Sequence, residues 1–148
     1  SERKEKMADY RKGSHTIYDI QYHFVWVTKY RYQVLRSEVA KRARELILQS
    51  CLSRDIKIIK GHVSKDHVHI LVSCPPRLSP SKVMQYLKGR SSRLLQEEFP
   101  HLKKRYWGRH LWARGYFCAT AGTVTQEQIK EYIERHKHEP FDDNFTIE

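Results

Sequence analysis

Residues 56–73 read IKIIKGHVSKDHVHILVS, and this stretch decides the fold. Ile56–Val63 and His67–Ser73 both have the length and the β-branched residues of strands. Ser64-Lys65-Asp66 lies between them as a short turn, so the stretch predicts an antiparallel hairpin. The continuous apolar run Ile70-Leu71-Val72 indicates that the second strand lies in the middle of a sheet.

The segment before the hairpin predicts one strand and one helix. Tyr18–Thr28 alternates between two faces, as a strand does. One face of it would carry Tyr18, Ile20, Tyr22, Phe24 and Trp26. Ser37 is expected to be the N-cap of a helix that runs to about Arg54. The apolar stripe of that helix is Val39, Ala43, Leu46, Ile47 and Cys51.

The segment after the hairpin predicts a second helix over about Ser81–Glu98, which Pro100 ends. Its inward side chains would be Val83, Met84, Leu87, Leu94 and Leu95, with Lys82, Lys88, Arg90 and Arg93 facing solvent. The remaining predicted elements are a basic, aromatic loop (His101–Gly115), a short strand (Tyr116–Ala121), and a helix between Thr125 and Pro140. Gln128, three residues after Thr125, has the spacing of a capping box.

The order of these elements is strand, helix, strand, strand, helix, strand, helix, which predicts an α+β fold. It is the split βαβ pattern of ferredoxin-like or RRM-like domains, an antiparallel sheet with helices on one face, extended by a C-terminal helix. The chain has 148 residues, one domain's worth of sequence. Residues 1–14 are polar and lack apolar periodicity. We therefore expect a mobile arm there, some of which could be vector-derived, and a single domain over 15–148.

Charge is distributed unevenly along the chain. The 28 Lys and Arg residues against 17 Asp and Glu residues give a net charge of +11. Residues 77–114 contain ten basic and two acidic side chains, a balance of +8, whereas residues 126–148 contain three basic and seven acidic ones. A polyanion is therefore expected to bind the middle of the chain and not its C-terminal part.

Several classes of protein lack support in this sequence. No apolar run approaches the roughly 18 residues of a membrane span and no secretory signal is recognisable, so we expect no membrane partner and a cytoplasmic protein. Cys51, Cys74 and Cys118 form no CxxC pair, which argues against a disulfide framework and a zinc ribbon. P-loop, HExxH and GxGxxG patterns are also missing.

Two pairs of residues could carry chemistry. His67 and His69 occupy positions i and i+2 of a strand, so both imidazoles project from one face and could bind a metal. Tyr132 and His136 occupy positions i and i+4 of a helix, so the phenol and the imidazole lie one turn apart. Structural roles are the alternative for each pair, because paired histidines also occur as surface residues and Tyr132 lies among isoleucines of a core stripe.

Five segments of the chain resemble the single-tyrosine HUH-endonuclease transposases of small bacterial and archaeal insertion sequences, the IS200-like family. The resemblance covers roughly residues 15–137. The segments are, in order, YHFVWVTKYR (22–31), DHVHILV (66–72), YLKGRSS (86–92), WARGYF (112–117) and IKEYI (129–133).

This resemblance implies an enzyme that cleaves and rejoins single-stranded DNA at hairpin-bearing transposon ends. Tyr132 would attack the phosphate and form a 5′-phosphotyrosine link, and His67, His69 and His136 would hold a divalent metal. The family typically has a glutamine at the place of His136. Three imidazoles suit zinc by ligand chemistry, but phosphoryl transfer on DNA favours Mg²⁺ or Mn²⁺. The resemblance also implies a homodimer with shared active sites.

The basic window supplies candidate DNA contacts. These are Lys88, Arg90, Arg93, Arg109, Trp112 and Arg114, and Tyr106, Trp107 and Trp112 could stack on unpaired bases or pack as core aromatics. A non-catalytic RNA- or DNA-binding module that uses aromatic residues of its sheet is the alternative function. A metal-dependent hydrolase with Asp66 as the base is a third.

Overall fold

Four antiparallel strands backed by two long helices make up most of the computed structural model, which describes residues 10–122 and 126–136. The strands are β1 (Arg11–Lys12), β2 (Ile17–Tyr18), β3 (Gln21–Val27), β4 (Lys57–Val63), β5 (His67–Ser73) and β6 (Phe117–Thr120). The helices are α1 (Ser37–Ser53), α2 (Pro80–Glu98), α3 (Pro100–Arg105) and α4 (Gln126–Arg135), with a short 3-10 turn at Lys29–Arg31.

The four-stranded sheet has the order β4-β5-β3-β6, and every neighbouring pair is antiparallel. The strands β3 and β5 are central, with β4 and β6 at the two edges. This is the ferredoxin-like arrangement, so the predicted α+β fold is confirmed. The strands β1 and β2 form a separate two-stranded ribbon.

The hairpin forms as predicted. The amide of Ser64 donates to the carbonyl oxygen of His67 at 2.8 Å and closes the turn between β4 and β5. A bulge between Ile58 and Lys60 shifts the register of β4. Because β5 pairs on both edges, it is a central strand, as its apolar run indicated.

The core lies between one face of the sheet and the helices α1 and α2. The sheet contributes Phe24, Trp26, Val68, Ile70 and Val72. The helices contribute Val39, Ala43, Leu46, Ile47, Cys51, Val83, Met84, Leu87 and Leu95. The predicted stripes are therefore correct, except that Leu94 is only half-buried. The opposite face of the sheet is the one that carries His67 and His69.

The starts of the two long helices differ from each other. Ser79 caps α2, since its hydroxyl accepts from the amide of Lys82 and Pro80 follows at the first helical position. The prediction that Ser37 caps α1 is wrong: Ser37 lies inside the helix with φ 50°, and Arg36 precedes it without a side-chain cap. A serine before an apolar stripe resembles a cap in sequence whether or not its backbone is extended.

Two predicted segments have more structure than expected. Part of the predicted loop His101–Gly115 is helical, because Pro100 both ends α2 and starts α3, whose Leu102 is buried in the core. The predicted strand Tyr18–Thr28 is divided into β2 and β3 by two residues.

Part of the predicted N-terminal arm is anchored. Arg11 and Lys12 pair with β2, and the Arg11 guanidinium bonds the carboxylate of Asp55 at 2.7 Å and the carbonyl oxygen of Ser73 at 2.9 Å. Residues 1–9 of that arm, and Thr125 of the expected capping box, lie outside the described residues. Among the helices of the described residues, none is long and apolar enough to cross a membrane.

Candidate active site

The predicted metal ligands lie on the sheet face opposite α1 and α2. His69 pairs with Val25, and Val25 pairs with Phe117 on its other side. Since directly paired residues of antiparallel strands point to the same face, His69, Val25 and Phe117 form one row across the sheet. His67, paired with Val27, stands in the next row. The i, i+2 spacing therefore places both imidazoles on one face, as predicted.

Asp66 holds the ring of His67. Nδ1 of His67 lies 2.8 Å from a carboxylate oxygen of Asp66, whose other oxygen accepts from the Arg31 guanidinium at 3.1 Å. Burial by itself raises the pKa of Asp66, but the hydrogen bond from His67 and the charge of Arg31 together keep it below its usual value. An ionised carboxylate only accepts, so Nδ1 carries the proton and Nε2 of His67 is left for a metal.

His69 contacts His23, a residue that sequence spacing does not place beside it. Its Nε2 atom lies 3.1 Å from Nδ1 of His23, which projects from β3 on the same face. Burial, followed by the charges of His23, His67 and His62, lowers the pKa of His69. The neutral imidazole that a metal requires is therefore favoured at pH 7. His23 falls within the family-like segment 22–31, but only the pairing of β3 with β5 reveals this contact.

Tyr132 and His136 lie together on α4. Their rings are 4.8 Å apart in an edge-on arrangement, and Nδ1 of His136 lies 3.1 Å from the backbone carbonyl oxygen of Tyr132. The Tyr132 ring also packs on the ring of Phe117, at 5.7 Å. Contact with Phe117 places α4 on the same face of the sheet as the two histidines.

The two pairs do not converge within one chain. Phe117 and His69 flank Val25 from opposite sides, so they are two strand spacings apart, roughly 9–10 Å. Among residues 10–122 and 126–136, no three His, Cys, Asp or Glu side chains gather around one point. The structure thus brings Tyr132 to His136 and keeps His67 beside His69, with β3 between the two pairs.

A groove of about 1260 Å³ opens between α2, the segment after α3 and the C-terminal end of α4. Its basic side chains include Lys29, Arg93, Lys103, Arg109 and Arg114, and His136 lines it as well. Three of the predicted DNA contacts, Arg93, Arg109 and Arg114, are therefore exposed in one place. Five of the ten basic residues of the sequence window line this groove, together with Glu97.

Lys88 and Arg90 differ from the expectation that they face solvent. The Lys88 ammonium donates to the carbonyl oxygens of Ala113 and Gly115 at 2.8 and 2.7 Å, and burial lowers its pKa to about 8. Arg90 donates to the carbonyl oxygen of Leu46 and the hydroxyl of Ser50, both at 3.2 Å, and so ties α2 to α1. Each residue lies on a different flank of α2 that meets another element, and helical spacing alone does not distinguish such a flank from a solvated one.

The aromatic residues of the basic window divide into core and surface. Trp112 is 3% exposed, donates from its indole nitrogen to Ser91 at 2.9 Å and packs edge-on against Trp26, so of its two expected roles the structure shows the one as a core aromatic. Tyr106 is also buried. Trp107 is 87% exposed at a backbone φ of 58°, and its ring is accessible for stacking.

The same burial removes the basis for the binding-module alternative. Phe24 and Trp26, the sheet aromatics that would stack on bases, are fully buried under the helices. Of that proposed surface, only Tyr22 is even partly exposed. In the hydrolase alternative, the carboxylate of Asp66 would be the base, and here it already accepts from Arg31 and His67.

Comparisons of the sequence with known proteins find transposases. A family model described as "Transposase IS200 like" matches residues 16–136. The transposase for insertion sequence element IS200 of Salmonella typhimurium is 36% identical over 134 residues, which is 88% of each chain. The ISDra2 transposase TnpA of Deinococcus radiodurans is 36% identical over 124 residues, 84% of this chain and 89% of that one.

Solved structures agree with the sequence comparisons. The crystal structure of a putative transposase from Deinococcus radiodurans superposes with a TM-score of 0.79 at 35% identity, over 85% of this chain and 97% of that one. A REP-associated tyrosine transposase bound to a REP hairpin shares the fold, with a TM-score of 0.53 at 13% identity over 84% and 67% of the two chains.

Proposed function

The chain belongs to the IS200-like transposase family, and from this premise we propose that it cleaves and rejoins single-stranded DNA at transposon ends through a covalent tyrosine–DNA intermediate. One observation carries the proposal. The phenol of Tyr132 and the imidazole of His136 share one turn of a helix that packs on the sheet face bearing His67 and His69.

The proposed nucleophile is the phenol oxygen of Tyr132. It attacks the scissile phosphorus, the bond from phosphorus to the 3′ oxygen breaks, and the departing 3′ oxygen takes up a proton. The phosphorus remains on the 5′ side and is now esterified to the tyrosine. Because one phosphodiester is exchanged for another, a second 3′-hydroxyl can reverse the step without ATP.

A divalent ion, Mg²⁺ or Mn²⁺ rather than zinc, is proposed as the cofactor. The donor set fits, since Nε2 of His67 is left available by the bond from Nδ1 to Asp66, and the lowered pKa keeps His69 neutral. The third protein ligand would be His136. Such an ion polarises the phosphoryl group and stabilises the charge that develops in the transition state.

A homodimer with shared active sites is the proposed assembly. Tyr132 and His136 are separated from His67 and His69 by β3, so a complete site requires α4 to move or to come from a second copy. Gly122, two residues after β6, has φ +90°, a backbone conformation that glycine adopts without strain and that suits a change of direction before α4.

The DNA would lie in the basic groove. Arg93, Arg109 and Arg114 are exposed there and can neutralise phosphates, while Trp107 offers an accessible ring to an unpaired base. The REP-associated transposase that shares this fold binds a REP hairpin, and we propose hairpin-bearing ends for this chain too. A protein so engaged would be associated with the nucleoid.

The nucleophile is tested with Tyr132→Phe. The purified protein is incubated with single-stranded transposon-end DNA and Mn²⁺, and the products are separated on a denaturing gel. We expect the parent protein to form a protein–DNA adduct, and Tyr132→Phe to form none while still binding the DNA. Tyr86→Phe is the matched control, because Tyr86 is exposed on α2 and keeps its ring against Arg54.

Other outcomes would contradict the proposal in distinct ways. Retention of the adduct in Tyr132→Phe would remove the nucleophile assignment. Cleavage without any adduct would indicate a hydrolase that uses a water molecule. Binding without cleavage by the parent protein would indicate a nucleic-acid-binding module.

A further inference from the structure

We propose that His23 is a ligand of the divalent ion and that Nδ1 of His23 and Nε2 of His69 bind the ion together. This deepens the proposed metal-dependent function and rests on it. The two rings project from adjacent central strands, with 5.3 Å between their centroids and 38° between their planes. The sequence pattern had assigned ligand roles to His67 and His69 alone on this sheet.

The separation of the two nitrogens, 3.1 Å, is the main geometric support. A metal–nitrogen bond of about 2.0–2.1 Å places two ligand nitrogens about 2.9 Å apart at a right angle and about 3.4 Å apart at the tetrahedral angle. The observed distance lies between these values. The spacing of the two nitrogens therefore fits two ligands of one ion.

The pairing of the strands explains why the two rings meet. Val25 lies directly opposite His69, and His23 lies two positions before Val25 on the same face. Diagonal neighbours of this kind are within reach of long and aromatic side chains in an antiparallel sheet. Because β3 and β5 pair over seven residues each, the two backbones hold the rings with little loss of freedom on binding.

Protons balance when the ion binds. In the free protein, the 3.1 Å contact can be an N–H···N hydrogen bond with one imidazole as the donor. Each neutral imidazole has one N–H, so moving the proton of His23 from Nδ1 to Nε2 frees the ligating atom, and no net proton is released.

The ligand type indicates the kind of ion. Of the two proposed cofactors, two neutral imidazoles on one ion favour Mn²⁺ over Mg²⁺, which prefers oxygen, and Zn²⁺ serves as a probe of the same ligands. No group of three potential ligands converges within the described residues, so water, substrate oxygens or His67 after a small movement would complete the shell. His23 would then supply a second nitrogen from the same chain as His69, before any contribution from His136.

The test measures metal binding without DNA, on full-length Tyr132→Phe protein. Zn²⁺ is titrated into protein labelled with ¹⁵N-histidine, and the ring nitrogens are followed by NMR. We expect Nδ1 of His23 to move to the position of a metal-bound nitrogen while Nε2 becomes the N–H. By calorimetry, His23→Ala should bind Zn²⁺ about 10- to 100-fold more weakly. His62→Ala is the matched control, because His62 lies opposite His69 on β4 of the same face, and it should bind as the parent does.

A second variant separates ligation from mere support of the His69 ring. His23→Gln keeps a side chain that can hydrogen-bond Nε2 of His69 but binds metal poorly, so we expect it to remain as weak as His23→Ala. Full affinity in His23→Gln, or an unchanged Nδ1 resonance of His23, would overturn the proposal. Circular dichroism of each variant confirms folding. Metal binding through His67 and His69 alone would refute the role of His23 and leave the proposed transposase chemistry intact. Failure of the parent protein to form a Tyr132 adduct would contradict the transposase chemistry and leave the role of His23 in metal binding unaffected.

Discussion

Asp66 connects the turn of the β4–β5 hairpin to the ring of His67. Its carboxylate accepts from His67 and from Arg31, and its backbone carbonyl accepts from the amide of Thr28 at 2.9 Å. The residue is almost fully buried. The side chain therefore fixes the orientation of a proposed ligand, and the backbone carbonyl joins the hairpin to the end of β3, so the turn residue has a structural role and a proposed functional one.

Asp66→Asn should destabilise the fold by about 1–3 kcal/mol at pH 7, because two charge-assisted hydrogen bonds are weakened. The folded pKa of Asp66 is below the unfolded value of 3.8. Its ionised form therefore contributes stability above pH 3.8, and this contribution is lost as the pH falls through the lower folded pKa. Urea unfolding at pH 7 and at roughly pH 2 should show a difference between parent and variant that vanishes in acid.

The control for this prediction is Glu38→Gln. Glu38 forms an ion pair with Lys41 in which both side chains are about three-quarters exposed, so its removal should change stability little at either pH. An equal loss of stability for Asp66→Asn at both pH values would mean that packing, and not the carboxylate charge, accounts for the effect.

At this scale, sequence spacing and tertiary pairing give different information. The i, i+2 rule placed His67 and His69 on one face because both belong to one strand. His23 belongs to another strand 46 residues away, and only the register of β3 against β5 brings it to His69. Sequence spacing also does not predict that Trp112 is buried, because its burial depends on contacts with Ser91 and Trp26, which belong to other elements.

At the scale of elements, α2 holds the segment that leads into β6. Lys88 donates to the carbonyl oxygens of Ala113 and Gly115, and the indole of Trp112 donates to Ser91. The hydroxyl of the adjacent Ser92 accepts from the amide of Leu111, and one turn further the side-chain amide of Gln96 donates to the carbonyl oxygen of Arg109. This polar flank explains the YLKGRSS segment, and it fixes the backbone from which Arg109 and Arg114 enter the groove.

Lys88→Met should loosen this segment, because it removes both bonds to the carbonyl oxygens and keeps most of the aliphatic volume. We expect faster amide hydrogen exchange at Ala113, whose amide donates to the carbonyl oxygen of Val27, together with a loss of about 1–2 kcal/mol of stability. Lys82→Met, an exposed lysine on the same helix, is the control and should change neither quantity.

The pH dependence of the Lys88 contact has a definite sign. Burial lowers the folded pKa of Lys88 to about 8 from 10.5, so the unfolded chain binds more protons between these two values. The free energy of unfolding of the parent protein should therefore rise, relative to that of Lys88→Met, as the pH increases from about 8 to about 10.

For the hydrogen-exchange measurement, an exchange rate at Ala113 that is identical in parent and Lys88→Met would show that Ser91, Ser92 and Gln96 hold the segment without Lys88.

The elements with a periodic apolar stripe could be predicted from the sequence. Short elements, and elements held by contacts distant in sequence, could not. The stripes of α1 and α2 follow directly from helical spacing, and the hairpin follows from two β-branched runs around a short turn. In contrast, α3 is only six residues long with basic residues around Leu102, so no periodic signal marks it. The N-terminal ribbon depends on Arg11 reaching Asp55, a contact with no local signature.

At the scale of the whole molecule, charge separates along the chain and across the surface. Five of the ten basic residues of the window 77–114 line the groove, together with Glu97, whereas α4 carries three acidic and two basic side chains. A polyanion is thus attracted to the groove and less so to the outer side of α4. The end of α4 still reaches the groove through His136, so the helix that carries Tyr132 borders the proposed DNA path.

The shared-site proposal makes a prediction about mixed dimers of two inactive proteins. Tyr132→Phe lacks the nucleophile and His67→Ala lacks a ligand, so neither alone should form an adduct. If α4 of one copy serves the histidines of the other, a mixed dimer has one intact site, and random mixing should restore roughly a quarter of the parent's active sites. The copies are co-expressed with tags of different length, so the adduct can be assigned to one chain.

The identity of the chain that carries the adduct decides between the two arrangements. In a shared site, the tyrosine comes from the His67→Ala copy and the histidines come from the Tyr132→Phe copy, so the adduct must appear only on the His67→Ala chain. If each site is instead completed within one chain by movement of α4 across β3, both sites of the mixed dimer are defective and no adduct forms. Co-expression of two differently tagged Tyr132→Phe chains sets the background, and since both variants are expected to fold, an absence of rescue would mean that α4 reaches its own histidines.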